Sequence, residues 1–406
     1  MKITLGDFNL TVISESGIIR HTHLLEKERI VVTDGIFRDT WVEIDLNAIE
    51  YNIKRMRETL PQDTNIIAVI KADAYGHGSV PVARTALQSG AKMLAVALLE
   101  EALVLREAGI DAPILVFGWV APEATQIAAE AAITLTFYQK EWLQEVNKLT
   151  FNKKLNLHMK WDTGMGRVGI RTENELKQVV DELNCNPSIY LTGVYTHFAS
   201  ADDTDLSYFN EQRARFEKLL TEFKRLWPHP IDVHIGNSAA SLRLPKEMYD
   251  YIRFGISMYG LYPSKAVKQE ENIALRPAFS MHSKLIHVKR VPAGESISYG
   301  GTYQTTTDEW IGTIPIGYGD GWLRKLQGFS VLIDGKPQQI VGRICMDQTM
   351  IRLDKDYPIG TKVTLIGKQD HAVIEMDDIA DYLDTINYEI PCTINKRVPR
   401  IYKGLL

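Results

Sequence analysis

The chain has 406 residues, 45% hydrophobic and 24% charged, which is ordinary globular usage long enough for two or three domains, or for one large barrel with a smaller domain. With 46 basic against 51 acidic residues the net charge is −5, and no stretch collects like charges, so nothing favours nucleic-acid or membrane-surface binding. No segment approaches the ~18 apolar residues of a membrane span or carries the continuous apolar core of a secretory signal, and three cysteines (Cys185, Cys345, Cys392) in no metal-ligand spacing point to a reduced, cytoplasmic setting without a metal site.

Residues 1–40 stand apart. Ile3, Leu5, Phe8, Leu10 and Val12 partly alternate, with Ser16-Gly17 as a candidate turn, so a small hairpin is predicted. Whether the segment is an ordered appendage or the product of an upstream start codon stays open. Over residues 41–275 short apolar runs alternate with helical periodicity. Runs at 65–71, 93–99, 113–119, 133–138, 155–162, 189–198, 232–235 and 251–254 read as strands. Stretches 173–183 and 206–227 read as amphipathic helices, the first with Leu176, Val179, Val180 and Leu183 on one face. Eight strands joined by helical crossovers predict an α/β fold, a (β/α)8 TIM-type barrel rather than an open doubly wound sheet. Residues 276–406 change character. Runs at 280–291, 310–316, 329–333, 339–344 and 362–366 read as strands joined by turns, with one evident helix at 376–385. A mostly β C-terminal domain is expected.

The most informative run is Ile66-Ile67-Ala68-Val69-Ile70-Lys71, followed by Ala72-Asp73-Ala74-Tyr75-Gly76-His77-Gly78. A strand this apolar is buried on both faces, and a lysine at its end needs a task for its amine. By itself Lys71 reads more readily as a lysine snorkelling to water at the strand mouth. In the same way Tyr75 alone reads as a packed tyrosine, and Ser238 and Gly255 alone as turn residues.

Together these motifs resemble those of the alanine racemase family, from Trp41 to about Tyr402 and in family order. The resemblance implies pyridoxal phosphate as cofactor, held by Lys71 as a Schiff base, with phosphate contacts from Tyr75, Ser238, Gly255, Ile256 and Tyr388. A phosphate site after strands seven and eight also suits a barrel. Arg253 matches the arginine that faces the pyridine nitrogen, and His197 lies next to it in the family arrangement. A guanidinium stays protonated, so it keeps that nitrogen proton-free. Racemisation needs proton donors on both faces of a planar carbanion. Lys71 serves one face, and Tyr299 in Ser298-Tyr299-Gly300 matches the second base. A phenol of reference pKa ~10 needs positive character nearby, a role for which His197 is the expected residue.

The segment Gly342-Arg343-Ile344-Cys345-Met346-Asp347-Gln348 matches the substrate-carboxylate loop, in which Met346 presents its backbone N–H and Asp347 is a supporting residue. Ile316-Gly317-Tyr318-Gly319-Asp320-Gly321-Trp322-Leu323-Arg324 matches the entrance segment. There Tyr318 narrows the access path and Arg324 joins a polar network near Lys71 and Tyr299. The family commonly has alanine where this chain has Gly319. Gly164-Met165-Gly166-Arg167-Val168-Gly169 is literally a dinucleotide fingerprint. It follows the fifth strand rather than the first, however, and the next strand ends in His197-Phe198 without a ribose-binding acid. In the family this segment places Arg167 toward the cofactor's phenolic oxygen and the substrate carboxylate, oriented by Lys160, a lysine often carbamylated. Cys345 is expected as a wall residue rather than a nucleophile.

The implied function is interconversion of L- and D-alanine, supplying D-alanine for peptidoglycan, in a head-to-tail homodimer. A broad-specificity or serine racemase, or a non-catalytic pyridoxal-phosphate-binding barrel, are the competing readings.

Overall fold

The structure is a computed structural model that describes residues 37–270 and 272–404, and before them the backbone of the strands Lys2–Leu5, Phe8–Thr11 and Val31–Val32. The chain divides into two compact units, one of residues 48–276 and one that combines residues up to 47 with 277–405.

The first unit is a closed parallel barrel. Its strands are Asn65–Val69, Met93–Val96, Ile114–Val116, Thr134–Phe137, Leu155–Lys160, Ile189–Tyr195, Asp232–Gly236 and Tyr251–Phe254. They pair in chain order, and the eighth closes on the first with Tyr251 opposite Asn65 and Arg253 opposite Ile67. Helix Glu173–Leu183 buries Leu176, Val179, Val180 and Leu183, as its periodicity predicts, and Thr172 caps it by accepting the Glu175 N–H. Helix Ser207–Leu226 lays Phe216 and Phe223 against Trp161, with ring centroids 5.1 and 5.6 Å apart. Six of the eight predicted strands run past the observed ends. Apolar character continues through Ile70 and Leu98, but the ladder stops at Val69 and Val96, where the chain turns to form the mouth.

In the second unit, Thr40–Asp45 sits inside a sheet, antiparallel to Phe279–Lys284 and parallel to Arg400–Lys403. Residues 41–47 therefore belong with the C-terminal β structure and not with the barrel, where the sequence reading puts them. A three-stranded sheet joins His287–Val291, Glu309–Ile314 and Thr349–Leu353. The predicted single strand at 280–291 is two, Phe279–Lys284 and His287–Val291, which lie in different sheets. The predicted strand at 339–344 is displaced to Lys336–Gln339. Helix Met376–Leu383 is accompanied by a short helix, Glu389–Thr393. Near the N-terminus Lys2–Leu5 pairs antiparallel with Phe8–Thr11, Leu5 opposite Phe8, so the hairpin forms earlier than Ser16-Gly17, which lies outside the described residues. No described helix is long and apolar enough to cross a membrane.

Candidate active site

The chain leaves the first strand in an unusual way. After Lys71, four non-glycine residues in succession have positive φ: Ala72 52°, Asp73 53°, Ala74 54° and Tyr75 52°. At about 1–2 kcal/mol per residue, such a left-handed turn stores roughly 4–8 kcal/mol of backbone strain. It closes on itself through Ala74 N–H to Ile70 O and Gly76 N–H to Ala72 O, both 2.9 Å, and Asp73 Oδ1 accepts the Ser79 N–H at 2.8 Å. The turn leaves Lys71 half-buried, its Nζ 5.8 Å from the Tyr75 ring centroid. Tyr75 itself is buried against Tyr259, whose hydroxyl donates to Val69 O at 2.9 Å.

The Tyr75 hydroxyl points at the loops after strands seven and eight. A Cβ on Gly255 would lie 3.1 Å from it and 3.8 Å from Ser238 Oγ, so the missing side chain leaves a cradle between them. Ser238 Oγ accepts the Gly255 N–H at 3.0 Å and the Ser257 N–H at 3.5 Å, and Ile256 is buried beside them. Ser257 Oγ is buried with no hydrogen-bond partner among the described residues. A buried hydroxyl in that condition costs free energy unless a ligand completes it. Hydroxyls of Tyr75, Ser238 and Ser257 around a glycine backbone suit a phosphate, so this cradle fits the phosphate end of pyridoxal phosphate. Ser257 is absent from the sequence reading; its position two residues beyond Gly255 was the available signal.

Arg253, on the eighth strand, is buried without a carboxylate among its hydrogen-bond partners. Nη1 meets His234 O at 2.9 Å and His234 Nδ1 at 3.0 Å, and Nη2 meets Thr196 O at 2.8 Å, Ile235 O at 3.1 Å and His197 Nδ1 at 3.3 Å. Burial, with Arg167 adding, pushes the guanidinium down to about 10, so it stays charged at neutral pH. Because arginine only donates, His234 accepts on Nδ1, carries its proton on Nε2, and donates that to His158 Nδ1 at 3.0 Å. His197 is held well below its ordinary value, first by burial and then by Arg253, Arg167, Lys160 and Lys71. It is therefore a neutral acceptor. The positive charge at this point is carried by Arg253, which donates to His197.

Lys160 ends the fifth strand, buried, with Nζ donating to Val168 O at 2.8 Å. Burial and the charges of Arg167 and Arg253 lower it to about 8. Arg167 sits exposed on the glycine-rich turn. There Asp162 Oδ1 accepts the N–H groups of Gly164 and Gly166 at 3.1 and 3.0 Å, and Trp161 bridges to Ile170. The glycine-rich segment thus folds back on its own strand rather than opening onto a helix, which removes the dinucleotide reading.

The other predicted residues lie in the β unit. Tyr299 is 68% exposed, on a turn that starts at Ser298 with φ 66°. Ser298 Oγ donates to Arg343 O at 2.5 Å and lies 3.6 Å from Cys345 Sγ. Tyr299, Ser298, Cys345, Gln348 and Met350 line a cavity of about 600 Å³. The entrance segment is zipped to the Met346 loop by Tyr318 N–H to Cys345 O at 3.0 Å and Gly319 N–H to Met346 O at 2.9 Å. Gly317 permits this approach, since a Cβ there would lie 2.2 Å from Cys345 O. At Gly319 a Cβ would meet Arg397 Nη1 at 2.6 Å and Met346 O at 3.0 Å. Arg397 in turn pairs with Asp347 at 2.5 Å. Arg324 is exposed without a hydrogen-bond or ion partner among the described residues, so the network expected around it is not formed within this unit. Tyr388 is half-buried before helix Glu389–Thr393. Among the described residues no three His, Cys, Asp or Glu side chains are placed to hold a metal ion.

Comparison with known proteins also divides the chain in two. Residues 44–263 match the family model of the alanine racemase N-terminal domain, and residues 278–402 that of the alanine racemase C-terminal domain. The chain is 54% identical to alanine racemase of Geobacillus stearothermophilus over 90% of this chain and 94% of the relative. It is 51% identical to alanine racemase 1 of Bacillus subtilis (strain 168), over 91% and 94% respectively. Among solved structures, alanine racemase from Bacillus anthracis with bound L-Ala-P superposes with a TM-score of 0.89 at 50% identity, covering 91% of this chain and 96% of that one. With both domains matched in chain order at this identity, the chain belongs to the alanine racemase family.

Proposed function

We propose that this chain interconverts L- and D-alanine with pyridoxal phosphate, using Lys71 and Tyr299 as opposed bases. The observation that carries the reading is Arg253, a buried cation whose hydrogen-bond partners are all uncharged, on the strand that leads into the Gly255 cradle. Bound pyridoxal phosphate supplies an electron sink for a carbanion at the α-carbon. Arg253, being cationic, would keep the ring nitrogen without a proton, which would temper that sink and favour clean reprotonation. Tyr75, Ser238, Gly255, Ile256 and Ser257 would hold the phosphate, and the family resemblance adds Tyr388. The Lys71 amine takes the α-hydrogen of D-alanine on one face, and the Tyr299 phenolic oxygen takes that of L-alanine on the other. Arg167 and the Met346 N–H orient the substrate carboxylate, and Tyr318 restricts entry to a small side chain. Lys160, lowered to about 8, keeps part of its amine uncharged near neutral pH. Addition of CO2 with loss of one proton would make it an anion that orients Arg167.

Tyr299, Tyr318 and Met346 would reach the Lys71 of a second copy in a head-to-tail homodimer. The product would serve cell-wall synthesis in the cytoplasm. The test is a coupled assay of the purified protein, loaded with cofactor, against L-alanine, L-serine and L-lysine. Alanine should be racemised in both directions, and Lys71→Ala and Tyr299→Ala should each lose about 10²–10⁴-fold in kcat. Equal turnover of serine would instead favour a broad-specificity racemase, because a methyl-sized discrimination is worth only ~1–3 kcal/mol.

A further inference from the structure

Residues 72–75 are the only run of consecutive positive-φ non-glycine residues among those described. L-residues adopt this conformation singly, not in series, so contacts outside the turn must hold it. Glu101 provides one. It is the third residue of helix Leu99–Glu107, and its Oε1 accepts the Ala72 N–H at 2.6 Å. Its Oε2 accepts the Ala97 and Leu98 N–H groups at 2.8 and 3.1 Å. Three backbone donors from the loops after the first and second strands thus converge on one half-buried carboxylate. The bonds to Ala97 and Leu98 are what an acidic residue does at any helix start. The bond to Ala72 is different in kind. It crosses to another loop and ends on the residue that follows Lys71, and it is a charge-assisted bond of the stronger class.

We propose that Glu101 is a positioning residue for Lys71, anchoring the first N–H of the left-handed turn so that the lysine amine is aimed into the barrel mouth. The inference rests on the reading of Lys71 as the cofactor-bearing base. It requires that loosening Ala72 misplace the amine without changing the substrate contacts.

The experiment compares the cofactor-loaded protein with Glu101→Ala, Glu101→Gln and the double variant Ala72→Gly/Glu101→Ala. The readouts are kcat, KM, the visible absorbance of bound pyridoxal phosphate across pH, and hydrogen exchange at the Ala72 amide in cofactor-free protein. Glu101→Ala should lower kcat by about 10–100-fold with KM changed less than about threefold, since small misplacement of a reacting group costs that much. It should also shift the pH profile of the absorbance and speed exchange at Ala72. Glu101→Gln keeps an acceptor oxygen and should fall between. Glycine at position 72 accepts positive φ without strain, so the double variant should recover most of kcat. If Glu101→Ala does not fold, Glu101→Gln and the double variant carry the comparison. Variants that lose thermal stability but keep kcat, absorbance profile and Ala72 exchange would reduce Glu101 to a helix cap. A wild-type protein that neither binds the cofactor through Lys71 nor racemises alanine would remove the underlying reading instead.

Discussion

Arg253 carries a positive charge into the barrel, and the two histidines behind it supply acceptors in place of a counter-ion. His234 accepts from Arg253 and donates to His158, so both rings must stay neutral for the chain of donors to run one way. Burial lowers His158 to about 3 and, with Arg253 and His158 adding, keeps His234 well below its usual value. Both groups are protonated more readily in the unfolded chain, so their stabilising neutrality is complete above about pH 6.5 and is lost as pH falls toward 3. For His158 alone this amounts to about 2 kcal/mol between pH 7 and pH 5. Denaturant titrations at the two pH values should show a loss of at least that size in the barrel unit. A pH-independent stability over this range would mean that the rings are charged in the folded state. The same burial holds His197 well below its ordinary value. A histidine next to an arginine suggests a shared positive environment, but packed charge of one sign deprotonates the weaker base.

At the scale of elements, the left-handed turn and the glycine cradle are the two devices on which the proposed site rests. Ala72 is exposed, so Ala72→Gly removes strain without opening a cavity. It should stabilise the fold by roughly 1 kcal/mol, opposite in sign to an alanine-to-glycine change in a helix. A loss of similar size on thermal unfolding would show that the turn relaxes in solution. Gly255→Ala tests the cradle. The new methyl would sit 3.1 Å from the Tyr75 hydroxyl, tight enough to displace it. Cofactor affinity, followed by visible absorbance, should fall about tenfold or more, equivalent to ~1.4 kcal/mol, while the melting transition of cofactor-free protein stays nearly unchanged. Unaltered affinity would place the phosphate elsewhere.

For the whole molecule the informative region is the N-terminal part that the sequence reading sets aside as 1–40. Arg38 belongs to the β unit. Its Nη1 donates to Asp320 Oδ1 at 2.7 Å and its Nε to Pro315 O at 2.8 Å, against a carboxylate with no solvent exposure. Asp320 also accepts the Gly317 N–H at 3.0 Å, at the start of the entrance segment. Arg38→Ala should therefore destabilise the protein by about 2–4 kcal/mol, because it leaves a buried carboxylate short of its main partner. Removing residues 1–36 spares Arg38 and should leave activity and oligomeric state intact, as read by the coupled assay and by size-exclusion chromatography. Loss of either would make the extension structural.

Much of this protein is written locally. Paired apolar and helical periods announce the eight-stranded barrel, because buried parallel strands need continuous apolar runs and their crossovers need one apolar face. Lys71, Arg253, Gly255 and Tyr299 stand out in the sequence only because the contiguous motifs that hold them resemble those of the family. Three things depended on neighbours distant in the chain. Ser257 matters only as a buried hydroxyl left without a partner among the described residues, Glu101 reaches Ala72 across 29 residues, and residues 41–45 read as the start of the barrel yet pair with strands more than 230 residues away. The charge of His197 was likewise decided by its surroundings, since burial and nearby cations set it and no local pattern records them. Sequence alone determined which residue types the chemistry has and the order in which they occur. Tertiary structure decided which of them are charged, strained or braced, because those properties are energies of contact between segments that only folding brings together.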